Sequence, residues 1–153
     1  MPDTQATFIP PNPSPLMPSS ANPPDNAEES GAPALTLDAG ALDKLRALDP
    51  DGRHQVLVRV LQTYAASLDR MRVTLEVARA QGDWRTVERL AHTLKSSSAS
   101  IGALDFAQRW GDIEARLRDR GAAGVDDIVP AMDRLRTDGD RVQAAVQAML
   151  RSP

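Results

Sequence analysis

Residues 82–103 of the chain read Gly-Asp-Trp-Arg-Thr-Val-Glu-Arg-Leu-Ala-His-Thr-Leu-Lys-Ser-Ser-Ser-Ala-Ser-Ile-Gly-Ala. Apolar side chains recur in this stretch at spacings typical of a helix, at Val87, Leu90, Leu94 and Ile101. This period predicts one amphipathic helix with a buried stripe. Gly82 suits the end of a preceding helix, Asp83 can cap the new helix, and Gly102 ends it.

Three further stretches repeat this helical period. The one before it carries Val56, Val60, Tyr64, Leu68, Met71, Leu75 and Ala78. The one after it ends near Gly121 and carries Phe106, Trp110, Ile113 and Leu117. The last carries Ile128, Val129, Met132, Leu135, Val142, Val146 and Met149. Pro130 is predicted in the first turn of that helix, where a backbone N–H has no hydrogen-bond partner within the helix. Gly139 should weaken its middle by about 1 kcal/mol.

The four long helices are preceded by a short one at residues 38–48, which Asp38 can cap. It carries Leu42, Leu45 and Leu48 and ends at the turn-forming run of residues 49–52. No stretch shows strand alternation. Short loops favour antiparallel neighbours. The sequence therefore predicts an all-α fold at residues 36–151, an antiparallel up-down-up-down four-helix bundle with the short helix covering one end.

Residues 1–35 differ in composition from the rest of the chain. Nine of the 12 prolines lie at or before Pro33, among Ser, Asn and Ala. Proline removes backbone donors and fixes φ, so this segment cannot build a helix or an interior strand. We expect a disordered, proline-rich N-terminal tail or linker.

Overall composition excludes several classes of protein. The net charge of -3 argues against a nucleic-acid partner, and the absence of cysteine excludes disulfides and suits a reducing compartment. No apolar run approaches the roughly 18 residues of a membrane-spanning helix. The first basic residue is Lys44, which leaves no positively charged start for a signal peptide. A cytoplasmic protein without a membrane partner is expected.

His92 is the candidate reactive residue. On a helical wheel of about 100° per residue, Leu90, Leu94 and Ile101 lie opposite His92, so its imidazole should face solvent. Lys95 at i+3 and Ser96 at i+4 share its face, and Ala99 continues it, so the surface beside the histidine is low. A neutral imidazole is a good nucleophile, and a phosphoryl group on it could pair with the Lys95 ammonium.

Other interpretations of these residues stay open at this point. A lone surface histidine is usually incidental, Lys95 fits an ordinary solvated helix position, and the run of residues 96–98 fits close packing between helices. A metal site needs several ligands, and the other histidine, His54, has no His-x3-His or Glu-x2-His pattern near it. We therefore expect no metal and no cofactor.

The stretch His92-Thr93-Leu94-Lys95-Ser96-Ser97-Ser98, followed by Gly102-Ala103, resembles the signature of the histidine phosphotransfer (HPt) family of two-component phosphorelays. The resemblance extends from about Leu37 to Leu150. It implies that His92 accepts phosphoryl at Nε2, that Lys95 stabilises the phosphoryl group and that Gly102 ends the active helix. Ser96 stands where many members have glycine. Glu114 falls where members often place a Gln or Glu beside the imidazole, and could accept the Nδ1 hydrogen.

The function implied is that of a covalent phosphoryl carrier, not an enzyme, which takes the group from a receiver aspartate and passes it to another receiver. Partners would be receiver domains of response regulators or a hybrid histidine kinase, docking over Ser96, Ala99 and Gly102 on a monomer. Mg²⁺ is expected only on the partner receiver. Two rivals remain: a non-catalytic helical adaptor in which His92 is incidental, and a phosphatase that uses a histidine nucleophile.

Overall fold

The computed structural model describes residues 10–12 and 35–152 of the chain. Its helices are α1 (Ala39–Ala47), α2 (Val56–Ala80), α3 (Trp84–Ser100), α4 (Leu104–Arg120) and α5 (Val125–Arg151), with a 3-10 turn at Gly121–Gly124 before α5. The described residues form no strand, and the all-α prediction is confirmed. The predicted tail lies outside the described residues except for the exposed residues 10–12 and Leu35, which packs against the helical core.

Helices α2 to α5 form a four-helix bundle. Each packs against the helix before and after it, and α5 closes the bundle by packing against α2. Three-residue connections join α2 to α3 and α3 to α4, so these neighbours run antiparallel. The predicted up-down-up-down bundle is confirmed. Its core includes the fully buried side chains of Leu61, Leu68, Val87, Leu94, Phe106, Ile113, Ile128, Val142 and Val146.

Helix α3 is defined by glycine motifs at both ends. Before it, Gly82 has a φ of +67°, its N–H donates to the Arg79 carbonyl, and the Asp83 N–H donates to the Ala78 carbonyl. This pair of bonds is a Schellman motif. The Asp83 carboxylate then caps α3 by accepting from the Thr86 N–H at 3.1 Å. The same motif ends α3 at Gly102, so the helix is fixed over the residues that the sequence predicts.

Gly102 is required for a second reason, because the backbone of Asp38 lies directly on it. Its φ is +84°, and a Cβ at this position would come within 2.7 Å of the Asp38 nitrogen. The Asp38 N–H donates to the Gly102 carbonyl at 2.9 Å, and the Asp38 carboxylate caps α1 through the Ala41 N–H. Helix α1 is therefore anchored at the corner between α3 and α4. Of the three apolar residues predicted for this helix, Leu42 is buried, Leu45 is partly buried and Leu48, which follows the last helical residue, is exposed.

The serine run at residues 96–98 divides between the surface and the core. Ser98 is fully buried, and its hydroxyl shares a 2.9 Å hydrogen bond with the Tyr64 hydroxyl of α2. Burial raises the pKa of Tyr64 to about 12. The pair satisfies two polar groups that would otherwise cost free energy in the core. Ser98 is thus small for packing reasons, whereas Ser96 is exposed.

The start of α5 differs from the prediction. The helix begins at Val125, so Pro130 is its sixth residue and lies beyond the first turn. There the missing N–H removes a hydrogen bond that would reach the Asp126 carbonyl. The helix starts early because Asp126 and Asp127 occupy its first turn, where acidic side chains favour the helix dipole.

Candidate functional site

His92 lies on the outer face of α3, as the helical wheel predicts. Its side chain is 67% exposed, whereas its neighbours Ala91 and Leu94 are fully buried. Leu90, on the predicted buried stripe, is only half-buried. The imidazole is therefore accessible to a macromolecular partner.

The imidazole is held from below by Glu114 of α4. Nδ1 of His92 lies 2.8 Å from Oε1 of Glu114, whose side chain is only 3% exposed. An ionised carboxylate can only accept hydrogen bonds, so Nδ1 carries the hydrogen in this pair. A neutral imidazole with its hydrogen on Nδ1 has its lone pair on Nε2. The contact thus selects the tautomer in which Nε2 is the nucleophilic atom.

Glu114 is ionised despite its burial. The hydrogen bond from His92 is the largest cause that lowers the pKa of Glu114 below its ordinary value of 4.5. Burial acts in the opposite direction, and the nearby Lys95 and Arg118 add to the lowering. A negative charge beneath Nδ1 favours the imidazolium form that any electrophilic attack on Nε2 would generate.

Lys95 turns towards α4. Its Nζ lies 3.3 Å from Oε2 of Glu114, and its side chain is half exposed. Its stem crosses α4 at Gly111, where an added Cβ would come within 3.4 Å of the lysine Cδ. The glycine therefore lets the lysine stem lie close to α4.

Arg118 was not predicted from the sequence. Its Nη2 donates to Oε1 of Glu114, and its Nε lies 3.9 Å from Oε1 of Glu88 on α3. The spacing of Glu114 and Arg118 is i,i+4, a pattern that indicates an ion pair on a helix. That spacing was the available signal for Arg118, and the glycine inside a predicted helix was the signal for Gly111.

The three residues predicted to contact a partner fall into two groups. Ser96 and Ala99 are exposed on the His92 face, and the Ser96 hydroxyl donates back to the carbonyls of His92 and Thr93. The surface there is low and already hydrogen-bonded. Gly102 differs, because it is buried beneath Asp38 and lies off the exposed face. A glycine is needed at this position to end α3 and to let the backbone of Asp38 approach.

The lowered pKa of Glu114 leads to a prediction about acid stability. A carboxylate whose pKa is lower in the folded state stabilises the fold above about pH 4.5, and that contribution is lost as the pH falls through the folded value. We expect Glu114→Gln to be less stable than wild type at neutral pH. The difference in unfolding free energy should narrow on acidification below pH 4.5. Urea denaturation across this range measures it, and a difference that stays constant would contradict the assignment.

An open groove surrounds the histidine, lined by Glu88, Arg89, His92, Thr93, Glu114 and Arg118.

Among the described residues, no group of three or more metal-ligating side chains is positioned to hold an ion. None of α1 to α5 combines the length and apolar character that crossing a bilayer requires.

Comparison with known proteins identifies the family of the chain. The family model for the Hpt domain matches residues 59–150, which include α3, α4 and most of α2 and α5. Searches of curated proteins and of solved structures gave no match. The matched region contains the whole constellation of His92, Lys95 and Glu114. The chain therefore belongs to the Hpt domain family, whose members are phosphocarrier modules of two-component signalling.

Proposed function

We propose that His92 is the phosphoacceptor and that the module passes the group between aspartates of partner receiver domains. One observation carries this proposal: an exposed imidazole whose Nδ1 is hydrogen-bonded to the buried, ionised Glu114. The pairing presents a nucleophilic Nε2 to solvent and places a negative charge where positive charge develops during attack.

In the proposed step, the Nε2 lone pair attacks the phosphorus of an aspartyl phosphate in line. The Nε2–P bond forms as the bond from phosphorus to the aspartate oxygen breaks, and the aspartate leaves as a carboxylate. The hydrogen stays on Nδ1, so the ring becomes an imidazolium facing Glu114. The reverse step returns the group to an aspartate of a second receiver, whose own Mg²⁺ and lysine supply most of the catalysis.

We infer a docking surface on the His92 face that includes Ser96 and Ala99. Both are exposed, and neither projects far from α3. Beside them, a largely apolar groove between α2 and α3 is lined by Val60, Tyr64 and Ile101, together with small hydroxyl side chains and Arg59. A receiver domain docked on this surface would bring its aspartate to Nε2 of His92. We propose receiver domains of response regulators or of a hybrid kinase as partners.

The rest of the proposal concerns the setting of the module. We propose that residues 36–151 act as a monomeric cytoplasmic carrier without a cofactor or nucleic-acid partner. Residues 1–34 would be its tether, because Leu35 packs against the helical core. The cysteine-free sequence and net charge of -3 support this setting.

The decisive experiment separates the carrier from its two rivals. The purified protein is mixed with phosphorylated receiver domains of its host, and the label on the module is characterised. A carrier gains an acid-labile, alkali-stable label on His92 and returns it to a receiver. An adaptor binds without gaining label, and a phosphatase releases inorganic phosphate.

Replacing Lys95 with alanine should slow transfer and shorten the lifetime of the phosphohistidine. The phosphoryl group would lose one charge-assisted contact, worth roughly 1.5–3 kcal/mol when fully formed. Because Lys95 is half exposed, the unfolding free energy should change by no more than about 0.5 kcal/mol. Quenched-flow transfer and label decay measure the first effects, and a urea titration measures the last. Wild-type rates in the variant would assign Lys95 to the solvated surface.

A further inference from the structure

The carboxylate of Glu114 is shared among three donors. His92 Nδ1 and the Arg118 guanidinium both bind Oε1, and Lys95 binds Oε2 at 3.3 Å. Two cations therefore neutralise one buried anion. Only one of them, Lys95, is assigned a part in phosphoryl transfer by the family resemblance.

The two cations differ in what they can do when a phosphoryl group arrives. The group brings close to two negative charges to Nε2, and Lys95 is a point charge on a flexible stem that can turn towards it. Arg118 has a planar guanidinium and lies between Glu114 of α4 and Glu88 of α3. A guanidinium offers five donors in a fixed fork, so it can keep one carboxylate in place while contacting another.

We propose that Arg118 is a positioning residue that keeps Glu114 beneath Nδ1 throughout the reaction and so releases Lys95 to the phosphoryl group. The inference rests on the proposed role of His92. As the Nε2–P bond forms, the ring becomes positive and needs Glu114 most, at the same moment as the new phosphoryl charge attracts Lys95. Without a second cation, the carboxylate and the phosphoryl group would compete for one ammonium. Arg118 removes this competition.

The first test does not depend on phosphorylation. ¹⁵N NMR of the imidazole measures the fraction of His92 that carries its hydrogen on Nδ1 in wild type, Arg118→Ala and Arg118→Lys. Arg118→Ala should lower that fraction, and Arg118→Lys should restore part of it. Arg116→Ala is the matched control, because Arg116 lies on the same helix but lines the groove towards α5. An unchanged tautomer in Arg118→Ala, or an equal change in Arg116→Ala, would overturn the proposal.

The second test measures labelling by phosphoramidate, a small donor that needs no docking surface. Arg118→Ala should slow labelling by about two- to fivefold, the range for an ion pair whose guanidinium is largely exposed. Arg116→Ala should label at the wild-type rate. If wild type takes no label at all, the proposed function fails, and the tautomer comparison still decides the role of Arg118.

A double-mutant cycle tests the release of Lys95. With Arg118 present, Lys95→Ala should shorten the phosphohistidine half-life, because the lysine is then available to the phosphoryl group. In the Arg118→Ala background, Lys95 is retained by Glu114, so the same substitution should have a smaller effect. Equal fold-changes in the two backgrounds would show that the cations act independently and would contradict the proposal.

Discussion

Replacing His92 with glutamine is expected to abolish phosphoryl acceptance and to leave a folded helical protein. The imidazole nitrogen is the only nucleophile in the proposed step, and an amide nitrogen cannot replace it. The side chain is largely exposed, so little packing is lost. The unfolding free energy should fall by less than about 2 kcal/mol, because the glutamine amide can still donate to Glu114. Labelling from a phosphorylated receiver and a circular dichroism melt measure the two effects.

The other histidine provides the matched control for this experiment. His54 is also exposed and lies in the turn before α2. His54→Gln should take label at the wild-type rate. If the His92 variant is still labelled, or if only the His54 variant loses label, His92 is not the phosphoacceptor.

Replacing Ser96 with phenylalanine is expected to block exchange with receivers while the chemistry at His92 survives. Ser96 lies one helical turn beyond His92 on the same exposed face, so a large ring there should keep a receiver aspartate away from Nε2. Position 96 lies away from the buried stripe, so the melt should stay close to that of wild type. Phosphoramidate should still label His92, because it is small. The measurement compares the two donors on one preparation.

Two control variants test whether the volume of the side chain at position 96 is the cause of the lost exchange. Ser96→Ala removes the hydroxyl without adding volume and should exchange with receivers normally. Thr137→Phe adds an exposed ring on α5 and should also leave exchange unchanged. Exchange at the wild-type rate in Ser96→Phe would place the docking surface elsewhere, and loss of phosphoramidate labelling would indicate a disturbed site.

Helical periodicity is sufficient to predict the bundle and the exposure of His92, because both follow from which residues lie on one face of a helix. It also places Ser96 and Ala99 correctly on the outer surface. The position of Glu114 depends on the resemblance, since the register between α3 and α4 is set by packing and not by either helix alone. The contact between Glu114 and His92 agrees with that expectation, whereas its role in transfer remains a prediction.

The features that the sequence did not predict depend on contacts across the fold. Gly102 is predicted to end a helix, and it does. Its burial was not predicted, because that depends on the position of Asp38 in the fold. The sequence predicts Pro130 in the first turn of α5, whereas the helix begins at Val125, directly after a 3-10 turn and with Asp126 and Asp127 in its first turn. Arg118 is one of 16 arginines, and other arginines share its i,i+4 spacing from an acidic residue, so its contact with Glu88 becomes visible through the packing of α3 against α4.

The hydrogen bond between Asp38 and Gly102 joins residues that are 64 positions apart in the chain, and it has a consequence for folding. Such a contact closes a long loop, and closing that loop costs conformational entropy. We therefore expect the contact to form only after α2 and α3 have packed together. We expect α1 to form late in folding and to open first in local unfolding. Amide hydrogen exchange and limited proteolysis measure this opening. The folded part of the chain also extends further towards the N-terminus than residues 59–150, because the Asp38 backbone is hydrogen-bonded to Gly102 at the end of the helix that carries His92.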